Sequence, residues 1–260
     1  MRKIFYLLSL TFLMLQSCSS GDDSTGNYEG TTPSEVLLIK EIKYSDESVT
    51  KFIYNGNKIF SIATYENGYE TPHSSEKFTY TGNLITKWEE YMGNTLNLTR
   101  EYFYSNNKLD YMIFKYNYHT GNYDQGRCDF VYNPDNTVYK YYQNSTDYDK
   151  YYFDSNNNVI KFEEFEEGNL ESAEDFSYDN KNTAYKNILG YDKLIFDDYK
   201  CFYIKNNIKN WEQNFIGSLG DAPEKFYMTY NYQYNNQNYP ISFSILLDGN
   251  NYGSGQIFYY

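Results

Sequence analysis

Tyr54-Asn55-Gly56-Asn57-Lys58-Ile59 decides the fold, because the chain repeats it. An aromatic residue, a turn rich in Asn, Gly and Asp, and an aliphatic residue return as Tyr80-Thr81-Gly82-Asn83-Leu84-Ile85 and Tyr104-Ser105-Asn106-Asn107-Lys108-Leu109. Looser copies open at Tyr132 (to Val138), Phe153 (to Val159) and Tyr178 (to Asn182). The leading aromatics at 54, 80, 104, 132, 153 and 178 are spaced 26, 24, 28, 21 and 25 residues apart. That period holds two strands and two turns. A second turn lies in each interval, at Glu66-Asn67-Gly68, Gly93-Asn94, Thr120-Gly121-Asn122, Asn144-Ser145-Thr146 and Glu167-Gly168-Asn169. Asn and Gly tolerate the positive φ that tight hairpins need. Each period is therefore a β-hairpin, and the series predicts an all-β, antiparallel up-and-down meander.

The two faces of the sheet are not cleanly separated. Leu96, Leu98, Tyr102 and Tyr104 alternate with Asn97, Thr99 and Glu101, as a strand buried on one face requires, although Arg100 interrupts the apolar side. Leu109-Tyr111-Ile113 shares its strand with Met112-Phe114-Tyr116, so both faces are apolar there. Val159-Ile160 with Phe162 and Phe165 is mixed as well. The pattern predicts a curled sheet or barrel with two partly aromatic faces, rather than a sandwich. Regularity breaks after Tyr185, and an irregular or helical insert is expected near 187–215. Hairpin signals then return, with a polar turn at Asn235-Asn236-Gln237-Asn238.

Composition agrees with a sheet that lacks a thick aliphatic core. The 260 residues include 34 Tyr and 18 Phe against 2 Trp. A tyrosine ring packs on a pleated surface while its hydroxyl stays hydrated. This aromatic content separates the chain from disordered sequences.

The N-terminus reads as an address. Arg2 and Lys3 precede an almost wholly apolar run from Ile4 to Leu15. That run is too short for the ~20 residues of a membrane-spanning helix and fits a secretory signal over residues 1–17. Leu15-Gln16-Ser17-Cys18 resembles the lipobox of bacterial lipoproteins, which implies cleavage before Cys18 and lipid on its sulfur. Several acyl chains make a stable anchor where one is marginal. Ser19 does not resemble the aspartate that retains some lipoproteins in the inner membrane. Asp22-Asp23 resembles the export tag of surface lipoproteins of Bacteroidota-type bacteria, so a surface-exposed outer-membrane position is favoured over a periplasm-facing one. Residues 18–35 read as a flexible tether and 36–260 as a single β-repeat domain. Removing Arg2 and Lys3 takes the formal charge from −13 to −15. Such acidity argues against nucleic acid and against adhesion to anionic lipid, so membrane attachment is expected through the lipid on Cys18.

Beyond the lipobox, the aromatic-Asn-Gly-Asn-Lys-Ile hairpins, Asn187-Ile188-Leu189-Gly190, the Lys205–Lys209 run and the closing Tyr232–Pro240 run resemble a family of bacterial lipoproteins. That family carries a domain of unknown function described as having a porin-like fold. The likeness covers roughly Leu37 to Tyr260. Two departures are Gln237-Asn238, where the closing turn usually has glycine, and Asn182-Thr183, where Asn-Pro is more usual. The resemblance implies fold and address, and brings no activity with it. The turns bear a looser similarity to the tyrosine-aspartate repeats of bacterial shell-forming toxins.

Little in the sequence points to chemistry. His73 and His119 sit in turns without partners at ligand spacing, which leaves zinc catalysis and a Ser-His-Asp triad without support. Glu163, Glu164, Glu166, Glu167, Glu171, Glu174 and Asp175 read as a solvated acidic face; the alternative is a paired-carboxylate glycosidase. Asp135-Asn136 and Asp147-Tyr148-Asp149 offer oxygen to a cation but lack an EF-hand spacing, and Asx turns explain them more simply. Cys128 and Cys201 form one bridge or remain two thiols. No cofactor is implied. Tyr139, Tyr141, Tyr142, Tyr148, Tyr151 and Tyr152 crowd two neighbouring strands, either as cross-strand packing or as a surface for a sugar, an apolar ligand or a protein partner. Together these readings favour a non-enzymatic, lipid-anchored envelope protein with a binding or structural role. The alternative is an exported glycan-processing enzyme. A membrane pore would need an apolar lipid-facing band that the mixed strands do not offer.

Overall fold

The computed structural model describes residues 36–117, 123–194, 196, 205–216 and 224–260. Cys18, His119 and Cys201 lie outside the described residues. The strands are β1 (Ile39–Tyr44), β2 (Val49–Asn55), β3 (Lys58–Tyr65), β4 (Ser74–Thr81), β5 (Leu84–Met92), β6 (Thr95–Ser105), β7 (Lys108–Asn117) and β8 (Tyr123–Tyr132). The second half runs β9 (Thr137–Tyr142), β10 (Tyr148–Phe153), β11 (Val159–Glu166), β12 (Asn169–Tyr178), β13 (Ile208–Phe215), β14 (Glu224–Tyr234), β15 (Pro240–Leu247) and β16 (Asn250–Tyr259). Each strand pairs antiparallel with its sequence neighbours, and β1 closes on β16 to complete a barrel. The closure sets Ile42 opposite Ile257.

Turn chemistry agrees with the sequence signals. Gly56, Gly82, Gly93, Gly168, Asn106, Asn107, Asn136, Asn144 and Asn157 all adopt positive φ. The irregular segment ends at Asn207 rather than near 215, and Ile208–Phe215 is strand β13. Its alternation of Trp211 and Gln213 with Asn210 and Glu212 matches the facing strand, where Met228 and Phe226 oppose the first pair.

A ring of β-bulges explains why apolar residues seemed to occupy both faces. Tyr54 opposes Ile59 while Ile53 opposes Ser61, so Phe60 is an extra residue. The same insertion falls at Thr86, Asp110, Ile160, Lys209, Ile241 and Lys40. One extra residue reverses the in-out parity of the strand beyond it. Side chains three apart therefore point inward together: Ile59 with Ile62, Ile85 with Trp88, Leu109 with Met112, and Val159 with Phe162 are all buried. The hairpin joining β8 to β9 has a longer turn and an unshifted register.

The repeated tyrosines staple successive hairpins. The Tyr104 hydroxyl donates to the Ile85 carbonyl at 2.7 Å, Tyr132 to Leu109 at 3.0 Å, Tyr178 to Val159 at 2.7 Å and Tyr259 to Pro240 at 2.7 Å. In each case the acceptor opens the rising strand of the previous hairpin. The motif recurs along the chain because each ring fills the interior of the barrel end while its hydroxyl satisfies a neighbour's backbone.

The described residues between β12 and β13 (179–194, 196 and 205–207) fold into this same end as a plug. Its residues Ala184, Ile188, Tyr191, Leu194 and Phe196 are buried in the core, and Tyr191–Lys193 forms one 3₁₀ turn. Tyr80 donates to the Leu189 carbonyl at 2.9 Å, and Leu189 N donates to Asn57 O at 2.9 Å. Tyr151 reaches the Phe196 carbonyl at 3.3 Å. Gly190 makes the approach possible: it sits at φ 73°, and a Cβ there would stand 2.7 Å from the Asn83 carbonyl oxygen. Asn187, from the Asn-Ile-Leu-Gly segment, donates to Leu37 O and to the Tyr239 hydroxyl.

Candidate functional site: an aromatic rung on the outer wall

Alternation divides the six crowded tyrosines. Tyr142 and Tyr151 point into the barrel, beside the inward Lys140 and Asp149. Tyr139, Tyr141, Tyr148 and Tyr152 point outward. Tyr141 is directly opposite Tyr148, and Tyr148 directly opposite Phe165. The Tyr148 and Phe165 rings stack at 4.4 Å and 11°. Tyr139 and Tyr141 stack at 5.7 Å, and Tyr141 lies 5.8 Å from Tyr148. Tyr141 is 42% exposed despite these contacts.

The rung continues beyond the tyrosines that the sequence singles out. Register places Phe103 opposite Tyr111, Tyr111 opposite Asp129, and Asp129 opposite Tyr141. Phe103 and Tyr111 stack at 4.3 Å, and the Arg127 guanidinium covers Tyr111 at 3.8 Å while bonding Asp129. One line of directly opposed residues therefore crosses six strands, β6 to β11. Five interstrand steps of ~4.8 Å make it roughly 24 Å long. Phe103, Tyr111, Asp129 and Phe165 could have been found only from the register, because they lie up to 62 residues apart in the chain.

Lysine edges the rung. Lys150 lies 5.3 Å from the Tyr139 ring and 4.5 Å from Tyr152. Its hydrogen bond to Tyr152 holds its ammonium above the usual lysine range. The Tyr152 hydroxyl donates to Glu163 at 2.6 Å, and Lys161 pairs with Glu163 at 2.6 Å. Burial pushes the Glu163 carboxyl up, but its bonds to Lys161 and Tyr152 bring the balance below the usual carboxylate range. The rest of the outer wall is charged at mid-strand, with Lys43–Glu41, Lys87–Glu89 and Lys225–Glu212 ion pairs. The outer wall thus mixes mid-strand ion pairs with the aromatic rung and with exposed apolar residues such as Ile53, Phe60, Val131 and Ile241, while the interior, mainly apolar, also holds the Arg100–Glu90 and Lys140–Asp149 pairs.

The other candidate groups are scattered. Glu163 and Glu164 fall on opposite faces. Glu164 accepts from Ser172 at 3.1 Å, and Glu174, closed to solvent, accepts from Gln213 at 3.1 Å. His73 is exposed and lies 3.1 Å from Glu66. Asp135 caps its own turn through Thr137, and Asp147 bonds Ser145 and Glu167 N. Cys128 is a buried free thiol, pushed up to about 11 by burial. Among the described residues no group of three His, Cys, Asp or Glu is arranged to hold a metal.

No family model matches the chain, and no curated protein matches it. Solved structures do. A porin-like protein from Bacteroides vulgatus superposes with a TM-score of 0.51 at 14% identity, over 86% of this chain and 99% of the other. A porin-like protein from Bacteroides uniformis gives 0.49 at 10% identity, over 88% and 99%. The likeness to the first is one of fold: the expected antiparallel meander with a porin-like fold has a counterpart in a solved protein of nearly the same extent, and closure of the sheet, which the sequence left open, is seen in the pairing of β1 with β16.

Proposed function

We propose that this chain is a non-enzymatic cell-envelope protein, lipid-anchored through Cys18 at the outer membrane with its barrel outside the cell, and that it binds an extended glycan along its outer aromatic rung. The carrying observation is the unbroken opposition of Tyr141, Tyr148 and Phe165, continued by Asp129, Tyr111 and Phe103. Sugar rings stack their C–H faces on aromatic rings, whose faces are electron-rich. Lys150 and the Arg127–Asp129 pair supply hydrogen bonds at the edges of such a track. The mid-strand ion pairs on the outer wall and the formal charge of −13 support attachment by lipid rather than by a bilayer-embedded wall. The porin-like neighbour supports an envelope setting.

A glycan array with the detergent-solubilised full chain tests the reading. We expect retention of one class of extended glycan, weakened at least about tenfold by Tyr141→Ala with Tyr148→Ala, which removes roughly 1.4 kcal/mol or more. Retention indifferent to those substitutions, or release of sugar from the bound glycan, would overturn it. Cys18→Ala should abolish acylation; unchanged membrane attachment would remove the anchor from the proposal.

A further inference from the structure

A cavity lies inside the wall, apart from the outer rung. It measures about 230 Å³ and lies between the plug and strands β14, β15, β16 and β1. Five of its lining residues are aromatic: Tyr44, Tyr185, Tyr230, Tyr232 and Phe243. The rest of the lining is mainly aliphatic, with Ile42, Ile245 and Ile257.

Glycines on β16 face two residues of this lining. Most inward positions on the wall carry large side chains, but β16 places Gly253 and Gly255 in succession on that face. Gly255 opposes Phe243, whose ring leans across it, so that a Cβ there would meet Phe243 Cζ at 2.7 Å. Gly253 opposes Ile245, and nothing stands within 4 Å of where its Cβ would be. Phe243 takes up the volume that Gly255 leaves, whereas Gly253 leaves space unfilled opposite Ile245, a lining residue of the cavity. Close packing is the rule in protein interiors, and an unfilled apolar space forfeits contacts on every side.

Polar side chains, among them Tyr232 and Asn207, contribute to the lining. Burial of Tyr232 holds its phenol well above the usual tyrosine range. Asn207, also in the lining, spends its amide N–H on Asp179 and Asn182 O. An apolar pocket with one or two convergent polar groups is the usual form of a small-molecule site.

We propose that this cavity binds a small uncharged aromatic compound bearing one hydroxyl or ring N–H, with that group hydrogen-bonded to the Tyr232 hydroxyl. Size sets the class. An apolar cavity of roughly 150 Å³ takes benzene, so this one has space for a substituted benzene or a bicycle of indole size. The lining sets it too: five aromatic rings complement a flat ligand better than a flexible acyl chain. Charge is excluded because the lining offers no counter-ion.

The test uses the full chain with p-cresol, toluene and indole, followed by calorimetry and ligand-observed NMR. p-Cresol should bind saturably and raise the melting temperature. Toluene, the same ring without the hydroxyl, should bind at least about threefold more weakly. Tyr232→Phe keeps the ring and should erase that difference while leaving toluene unchanged. Ala184→Phe places a ring in the cavity from the plug and should weaken all three ligands about tenfold or more. Absence of saturable binding by the folded chain overturns the proposal, as does unchanged affinity in a folded Ala184→Phe variant. Should Ala184→Phe fail to fold, Tyr232→Phe decides alone: a p-cresol preference that survives it refutes the assigned contact.

Discussion

The tip of the Phe114 ring covers Gly126, its direct partner across β7 and β8, so closely that a methyl group on Gly126 would overlap Phe114 Cζ. Phe243 and Gly255 repeat the relationship on the other side of the barrel. In both pairs an inward aromatic borrows the volume that its partner gives up. Glycine weakens a strand by its entropy and missing side chain, so its place here is explained by the neighbouring ring. Gly126→Ala should destabilise the chain by about 1–3 kcal/mol through overpacking. Gly253→Ala, where the space is open, should be within roughly 0.5 kcal/mol of neutral or stabilising. Urea midpoints measure both. Phe114→Leu should recover much of the Gly126→Ala loss; an equal loss in both backgrounds would show that the ring is not what the methyl meets.

The tyrosine staples make a second prediction. Tyr104→Phe and Tyr132→Phe keep the buried rings and remove only the hydroxyls that reach Ile85 O and Leu109 O. Each loss should cost about 0.5–1.5 kcal/mol. Tyr141→Phe, on the outer rung, should cost nothing measurable in stability. Equal effects at the three sites would mean that the hydroxyls do not join the hairpins.

These pairs also mark how far the chain can be read without its partners in space. The hairpins are legible because Tyr54, Tyr80 and Tyr104 recur with Asn and Gly at the turns, and local chemistry alone sets φ there. The bulges are not. Phe60, Thr86 and Ile160 share no residue type that marks an insertion, and only the facing strand reveals that one is extra. Parity is lost with them, so Val159-Ile160 with Phe162 looks two-faced. Closure of β1 on β16 pairs Ile42 with Ile257, a contact that no local pattern encodes. The division of the tyrosines at 139–152 into outward and inward sets is implicit in simple alternation, since β9 and β10 pair without a bulge. The rest of the rung is not, because Phe103 and Phe165 join it through register across four intervening strands.

Alkaline pH should unfold the barrel cooperatively. Burial pushes the Tyr80 phenol up to about 12 and carries Tyr54, Tyr104, Tyr132, Tyr178 and Tyr259 further above the usual value of 10.0. A group raised in the folded state adds stability that is whole below its unfolded pKa and is lost as pH rises through its folded one. Above pH ~10 the unfolded chain binds fewer protons than the native one, so each such tyrosine removes about 1.4 kcal/mol per pH unit. Six acting together remove roughly 8 kcal/mol per unit. Tyrosinate absorbance should show the buried set ionising in one step that coincides with loss of β-sheet circular dichroism. Smooth, reversible titration of every tyrosine in a still-folded barrel would contradict this.

The pair of Lys140 and Asp149 inside the barrel yields the last prediction. Their charged atoms stand 3.2 Å apart with side chains 10% and 4% exposed, and Asp149 also accepts from Tyr142 at 2.9 Å. Desolvating two charges offsets most of their attraction, so the pair as a whole contributes little to stability. Breaking it is different, because the survivor is a buried charge without its partner. Asp149→Ala should therefore cost about 3–5 kcal/mol. Lys140→Met should cost less, since the Tyr142 hydroxyl continues to stabilise the Asp149 carboxylate. Replacing both, with Lys140→Met and Asp149→Leu, should return stability to within roughly 1–2 kcal/mol of the parent. A double-mutant cycle on urea midpoints reads the coupling. Additive losses would show that water reaches the pair and screens it, and that the barrel interior at β9 and β10 is wetter than the burial of Cys128 and Tyr151 beside it implies.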